Sequence, residues 1–392
     1  MNDFFSFFRL AKDEGLAADG GSKLRDEIRS SGGMHSLLTL FKSSKDASEM
    51  KLATALAVAY LIPSLTDPTH CQGDMGLRVM ECLRYLVNSP KIPTSSKISS
   101  REVREVAGLA LTHLWINVLQ PTWSEKKMLN EYGSVPFRPD LSSVLSHEAV
   151  KKAPSTKPSR LVGRWGRLQQ RQEMTEMQEL LETTVSLVVT VADSEIDDWT
   201  DSKGQEKNAA QNLRYNAAVT VESLCAVEFA RPIAVREGLL KVLVRWLSSN
   251  NVELERPAAN ALRNLTSLHD EYMAGWIHSQ IVNEGALPAI VKLSVSSQHD
   301  IRLAVAQILS SLSVAPHTRA AIVDAKGLNY LVQLVVYSVH ELPADKIDEP
   351  LALAAGSALL RIAAGAMSHS SGWMRPNLEI SEAREERNDV IR

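Results

Sequence analysis

The chain has 392 residues, 44% of them apolar and 23% charged, which is too apolar for a disordered polymer and long enough for two or three domains or one elongated array. Lys and Arg number 43 against 46 Asp and Glu, and the net charge of −3 argues against a dedicated nucleic-acid binder, which carries a basic excess. Aromatics are only 5%, so a core has to be built from Leu, Val, Ile and Ala; three cysteines (Cys71, Cys82, Cys225) are too few for a disulfide framework and point to a reducing compartment.

The chain opens on Phe4-Phe5-Ser6-Phe7-Phe8, with no basic stretch before it and charged residues after it, which argues against a signal peptide. Residues 1–20 read as a terminal segment whose phenylalanines close one end of an array; a membrane-dipping segment is the sharper alternative, but the cluster is too short to hold stably alone. Gly32-Gly33 then leads into the apolar helix Met34 to Phe41. Polar Ser43-Ser44-Lys45-Asp46 ends it, and Ser48 is a candidate N-cap for the next helix. That next run, Leu52 to Ile62, is the longest apolar stretch, too short to cross a membrane.

Within it begins a recurring pattern: a small residue, then a large aliphatic three positions on, then another three further. It reads Ala55, Val58, Leu61 here, and recurs as Gly108, Leu111, Leu114, as Ala218, Val221, Leu224, as Ala259, Leu262, Leu265, as Ala306, Leu309, Leu312 and as Gly356, Leu359, Ile362. Steps of three keep the positions on one helical face, where the large residues fill a core and the small one admits a neighbouring helix. A second pattern precedes several of these helices, a Gly followed by an apolar helix. It is seen at Gly238 to Leu247, at Gly285 to Leu293 with Pro288 in the first turn, and at Lys326 to Val335 with Gly327 one place later. Asp300 is a candidate N-cap for the helix carrying Ala306.

The last aliphatic of the pattern falls at 224, 265, 312 and 362, spacings of 41 to 50 residues, close to the 40–47 typical of stacked two- and three-helix repeats. Val185 to Val191 alone would pass for a strand, but it continues the helical run Glu176 to Glu182, so one helix is expected. Pro and Ser mark 89–100 as a loop, and Pro136, Pro139, Pro154 and Pro158 mark 133–173 as an irregular insertion. That insertion carries Lys151, Lys152, Lys157, Arg160, Arg164 and Arg167 without an intervening acid, read first as a solvated basic linker and otherwise as a localisation signal or a dock for an acidic partner. Asp193 to Asp201 is acidic and is expected to fold back on the basic stretch; its spacing fails the calcium-loop pattern, with Asp198 at the sixth position and Gly204 at the twelfth. The expected organisation is 21–132 and 174–368 as repeats, flanking the insertion, with 369–392 a charged tail.

These residues, best in 209–315, resemble an armadillo-repeat protein, with HEAT repeats the near alternative. The resemblance implies an all-α fold, a right-handed α-solenoid of armadillo-like repeats with irregular insertions, whose third helices line a concave groove for extended peptides or partner domains. Importin-alpha proteins, which belong to this group, hold basic peptides with Trp-x-x-x-Asn on successive third helices. Here the equivalent pairs are Leu56/Tyr60, Leu109/His113, Val219/Ser223, Asn260/Asn264, Gln307/Ser311 and Ser357/Arg361, none with both members, which counts against nuclear import. The groove positions remain candidates: Tyr60, His113, Ser223, Asn260, Asn264, Gln307, Ser311 and Arg361. Their character runs from apolar in the first two helices to polar and amide-rich in the later ones.

No P-loop, dinucleotide fingerprint, zinc-protease helix or nucleophile elbow occurs, and His70, Cys71 and Cys82 lack metal-ligand spacing. Asn264-Leu265-Thr266 is a formal glycosylation sequon, but it lies inside an expected packed helix. The expectation is a non-enzymatic scaffold or adaptor, without cofactor, metal or catalytic residues, binding a protein partner in the cytoplasm or nucleus. The alternative is the regulatory or substrate-recognition arm of a larger enzyme such as a ubiquitin ligase. RNA binding would need stacking aromatics or Arg at regular positions on every repeat, and a charge excess that this chain lacks.

Overall fold

The computed structural model describes residues 32–45, 49–62, 73–88, 100–120, 164–194, 204–268, 271–340 and 348–370. Every secondary-structure element among the described residues is helical, as the spacing predicts. The helices are α1 (Gly33–Ser43), α2 (Glu49–Leu61), α3 (Gly73–Asn88), α4 (Ser100–His113), α5 (Arg164–Ser194), α6 (Gly204–Ala226), α7 (Arg231–Arg236), α8 (Leu239–Leu247), α9 (Val252–Thr266), α10 (Glu271–Asn283), α11 (Leu287–Lys292), α12 (His299–Leu312), α13 (Pro316–Asp324), α14 (Gly327–His340) and α15 (Glu349–Ser370). Val185–Val191, open to a strand reading when taken alone, lies inside α5. That helix begins at Arg164, so Arg164 and Arg167 stand in its first turn, while Lys151, Lys152, Lys157 and Arg160 lie outside the described residues. So do the Phe4 to Phe8 cluster, Ser48, Cys71 and the tail beyond Ser370.

The chain forms two compact units, Met1–Ala286 and Leu287–Arg392. In the first, the helices that carry the small-residue pattern form one row: α2 packs on α4, α4 on α6 and α6 on α9. A second layer lies behind it, where α1 and α3 back α2, α3 also backs α4, α5 backs α6 and α8 backs α9. In the second unit α12 and α14 both pack on α15, and α13 packs on α14. A short helix, a middle helix and a long helix follow one another as α7, α8, α9 and again as α13, α14, α15. The two sequence patterns account for the middle and the long helix of this unit; the short first helix completes the three-helix repeat that the resemblance implies.

The row is held by the predicted ladder. Ala55, Val58, Ala218, Val221, Leu224, Leu262, Leu265, Ala306, Leu309 and Leu312 are all 0% exposed, and Ala259 is 1%. With a small side chain at the contact the helix axes approach closely, and each buried Leu or Val then contributes about 1.5–3 kcal/mol. The last helix departs from the expectation. Gly356 and Leu359 are half-buried there, and the inward stripe is Leu351, Ala355, Ala358 and Ile362. The predicted Ile362 keeps its buried place, and α12 and α14 both lie against this helix.

Turns between helices follow backbone rules. Gly238 takes φ 91°, a left-handed conformation that costs other residues about 1–2 kcal/mol, and lets the chain leave α7 and enter α8. At the corresponding turn before α14 it is Lys326 that adopts the left-handed backbone, φ 63°, not the glycine. Gly327 serves a different purpose, since a Cβ there would stand 2.6 Å from Ile322 Cγ2 and 2.9 Å from the Ile322 carbonyl oxygen. Asp300 is not the N-cap of α12: that place belongs to Gln298, and the Asp300 carboxylate accepts from the Ile301 N–H at 3.0 Å. Asn251 does cap α9, accepting from the Glu253 N–H at 3.0 Å.

A device not visible in the sequence patterns closes the C-terminal ends of the row. Arg231, 8% exposed at the start of α7, donates through Nε to the Cys225 carbonyl at 2.7 Å and through Nη1 to the Ser267 carbonyl at 2.9 Å, with the Ala226 carbonyl at 3.4 Å from Nη2. These are carbonyls at the ends of α6 and α9, which have no intrahelical partner and carry the negative end of the helix dipole. Burial pulls the guanidinium down from its usual pKa, and the nearby Glu228 opposes this. His278 on α10 lies 3.2 Å from the Thr266 carbonyl at the end of α9. In the second unit Arg319 on α13 donates to the Val314 carbonyl at 3.1 Å, beyond α12, and to the Arg361 carbonyl of α15 at 3.2 Å.

Two stability changes follow. Gly238→Ala should cost about 1–2 kcal/mol in denaturant unfolding; a Cβ there meets nothing within 4 Å, so the loss is one of backbone conformation, and Gly238→Asn should lose less. Arg231→Met, which strands the buried Cys225 carbonyl and frees the part-buried Ala226 and Ser267 carbonyls, should cost on the order of 2–4 kcal/mol by the same measurement.

Candidate functional site

The front of the first unit's row is the surface that the sequence marks as a groove. Measured from the small residue of each helix, it is made of the positions three before and one, four and five after. On α4 these are Glu105, Leu109, Thr112 and His113; on α6, Tyr215, Val219, Glu222 and Ser223; on α9, Arg256, Asn260, Arg263 and Asn264. All twelve are half-buried or exposed. Leu109 is 43% exposed and Tyr215 48%, large apolar surfaces to leave in water next to a polar strip.

The strip is ordered by side-chain hydrogen bonds that run from helix to helix in a repeating register. The position four after the small residue of one helix meets the position one or two after the small residue of the next. Thr112 and Thr220 hydroxyls are 2.9 Å apart between α4 and α6. Asn260 donates through Nδ2 to Glu222 Oε1 at 2.9 Å between α9 and α6. Ser310 and Ser357 hydroxyls are 2.6 Å apart between α12 and α15 in the second unit. Because a hydrogen bond fixes side-chain rotamers, these groups stand in set positions before any partner arrives.

Several predicted groove residues are therefore already engaged. Ser223 accepts from Trp115 Nε1 at 3.2 Å and donates to Gln120 Oε1 at 2.7 Å, and Asn260 is tied to Glu222. Arg361, exposed on α15, donates through Nη1 to the Ser310 carbonyl at 2.9 Å and hydroxyl at 3.0 Å. Asn264 stands half-buried on the front of α9, and Gln307 and Ser311 stand half-buried on α12. His113 is half-buried on α4; burial holds its imidazole below the usual pKa, and its Nδ1 is buried without a hydrogen-bond partner among the described residues. Tyr60 is half-buried at the end of α2.

The sequence reading passed over Trp115. It lies fully buried in a π-helical turn, Leu114–Leu119, that continues α4. The wider turn brings Leu114, Trp115, Val118 and Leu119 all into the core, and the indole N–H reaches across to α6. The signal was a Trp directly after the last ladder residue, a place where a buried indole needs a partner. Of the acidic stretch, Asp193 pairs with Arg245 on α8; Glu195, Asp197, Asp198 and Asp201 lie outside the described residues, as do Lys151, Lys152, Lys157 and Arg160 of the basic stretch.

Two thiols are described, Cys82 and Cys225, both buried and unpaired. Burial pushes each up to about 12, so neither is a thiolate near neutral pH. Among the described residues no group of three or more His, Cys, Asp or Glu side chains converges in a way that could hold a metal ion. No described helix is long and apolar enough to cross a membrane.

Glu222 gives a pH signature. Burial raises its carboxyl above the usual range, against the opposing Asn260 hydrogen bond and the Arg263 and Arg256 charges. A carboxyl whose folded pKa exceeds its unfolded value costs stability as pH rises above the unfolded value, and costs nothing below it. Glu222→Gln keeps the acceptor for Asn260. It should raise the thermal midpoint at pH 7, and the difference from wild type should vanish once the pH falls below about 4.

No family model and no curated protein matches the chain. Solved structures do match it, among them designed proteins. A designed armadillo repeat protein is 13% identical over 84% of this chain and 99% of its own, with a TM-score of 0.45. An engineered protein is 18% identical over 85% of this chain and 97% of its own, also at 0.45. A designed armadillo repeat protein in complex with the peptide (KR)4 is 14% identical over 83% of this chain and 99% of its own, at 0.46. The register of the three-helix units, the buried ladder and the two layers carry the assignment by themselves: the described chain is built of armadillo-like helical repeats.

Proposed function

We propose that this chain is a non-enzymatic scaffold or adaptor that binds a peptide or domain of a protein partner on the front of the row α4, α6 and α9. The observation that carries the reading is the exposure of Leu109 and Tyr215 beside side chains already locked by inter-helix hydrogen bonds. A partner covering these two side chains removes apolar surface from water, and it meets polar groups that lose little rotamer freedom on binding. Large exposed apolar side chains rimmed by ordered polar groups are what interaction surfaces present.

The surface changes character along the row, with Leu109 and half-buried Ile116 on α4, Tyr215 and Val219 on α6, and Arg256, Arg263 and Asn264 on α9. This gradient supports a partner that offers an apolar side chain toward α4 and α6 and hydrogen-bonding or acidic groups toward α9. The high pKa of the Cys82 and Cys225 thiols supports a role without cysteine nucleophiles, and their unpaired state supports a reducing compartment, cytoplasm or nucleus.

A displayed random-peptide library selected on the full chain tests this. Enriched peptides should lose at least tenfold in affinity to Leu109→Glu and to Tyr215→Glu, and severalfold to Asn264→Ala, with the helical dichroism of each variant unchanged. Peptides that bind all three variants as well as wild type would move the binding surface elsewhere.

A further inference from the structure

Between Leu351 and Ala364, α15 is apolar nearly all round. Its polar side chains there, Ser357 and Arg361, both reach Ser310 on α12. One face is buried in the second unit through Leu351, Ala355, Ala358 and Ile362. On the opposite side stand Glu349, Leu353, Gly356, Leu360 and Ala363, in steps of four, three, four and three residues. Leu353 and Leu360 are each 71% exposed, the highest value of any large apolar side chain described. Gly356 is the small residue of the recurring pattern, the place that on α6 and α9 admits a neighbouring helix, and a Cβ built there meets nothing within 4 Å among the described residues. Alternating steps of four and three hold side chains in one line along a helix at the 3.5-residue period by which two helices seat their side chains in each other. A helix with an apolar stripe on both sides belongs in a core, yet here one of the two stripes lies in water.

We propose that this seam is a self-association surface, on which α15 of a second copy of the chain lies antiparallel about a twofold axis at Gly356. Leu353 of each copy then packs beside Leu360 of the other, and the two Gly356 residues meet at the crossing, where the missing side chains let the helices approach closely. Charge selects this arrangement. Glu349 is the one charged member of the seam. A parallel pair would set Glu349 against its own copy, whereas the antiparallel pair sets it beside Ala363. The positions flanking the seam, Pro350, Ala352, Ser357, Leu359 and Ala364, carry no charge. Flanking charges are what select a foreign helix, so a copy of the same uncharged seam is the occupant that matches it. From Glu349 to Ala363 the contact is about 21 Å long. A single helix-on-helix contact of this length is smaller than the roughly 800 Å² per partner of a standard interface, so the association is reversible and depends on concentration. The competing apolar surface is Val332 and Val336 on α14, 51% and 50% exposed, but one pair a turn apart makes no seam. This inference concerns the second unit and stands whether or not the α4–α6–α9 surface binds a partner.

Sedimentation velocity of the full chain over a concentration series tests this, and should show monomer and dimer in exchange. Leu353→Glu and Leu360→Glu, both at exposed positions, should each raise the dimer dissociation constant at least tenfold with the helical dichroism unchanged. Leu109→Glu and Tyr215→Glu should leave it as it is. A chain that stays monomeric throughout leaves the seam to a helix of another protein and overturns the proposal. So does a dimer that Val332→Glu weakens and Leu353→Glu and Leu360→Glu do not. In a Cys71→Ser background, Gly356→Cys should give a disulfide-linked dimer under mild oxidation. Glu349→Cys should not, because its two copies stand about 21 Å apart along the paired helices, too far for a disulfide. If Glu349→Cys links and Gly356→Cys does not, the pairing is not antiparallel about Gly356 and the proposal fails.

Discussion

Close approach of neighbouring helices at a single small residue is the constraint on which the rest depends. Ala55, Ala218, Ala259 and Ala306 are almost wholly removed from water, each followed three and six residues on by a buried aliphatic. Replace the small residue with a large one and the helix axes move apart by more than a methyl group. The inter-helix hydrogen bonds of 2.6 to 2.9 Å that cross the same contact would then lie out of range. The apolar ladder and the polar cross-links are thus two consequences of one spacing, one behind the contact and one in front of it.

Polar satisfaction at the helix ends is the second demand that the packing creates. A row of parallel-stacked helices gathers unpaired C-terminal carbonyls at one edge, where water is partly excluded. Arg231 on α7 and His278 on α10 answer this demand in the first unit, and Arg319 on α13 does so in the second. The short helices α7 and α13 are therefore more than connectors. They carry the donors that make the stacked ends tolerable, and Arg is suited to this because its fork reaches two helices at once.

The front of the row inherits its properties from these constraints. Side chains at the edges of the contact are held by neighbouring helices, so Asn260, Ser223 and Arg361, which look like free groove donors in one dimension, are partly or wholly engaged within the molecule. What remains displayed is a mixture of apolar surface at Leu109 and Tyr215 and polar groups around Asn264. A display that is fixed in advance suits recognition, since little conformational entropy is lost when a partner docks.

The amino-acid sequence by itself determined the helices, their repeat spacing and most of the buried ladder, because helical periodicity and the size of a side chain are local properties that a single strand of residues records. It also placed the candidate groove residues on one helical face, since position on a helical face follows from spacing alone, but left open which of them stay free. Only the tertiary structure decided who meets whom: that Asp193 pairs with Arg245, that Lys326 and not Gly327 takes the left-handed turn, that Ala355 and Ala358 replace Gly356 and Leu359 on the inward stripe of α15, and that Trp115 crosses to Ser223. Each of these depends on the distance and orientation between elements far apart in the chain. Those are set by the sum of packing across the whole row, and no local pattern of residues contains that sum.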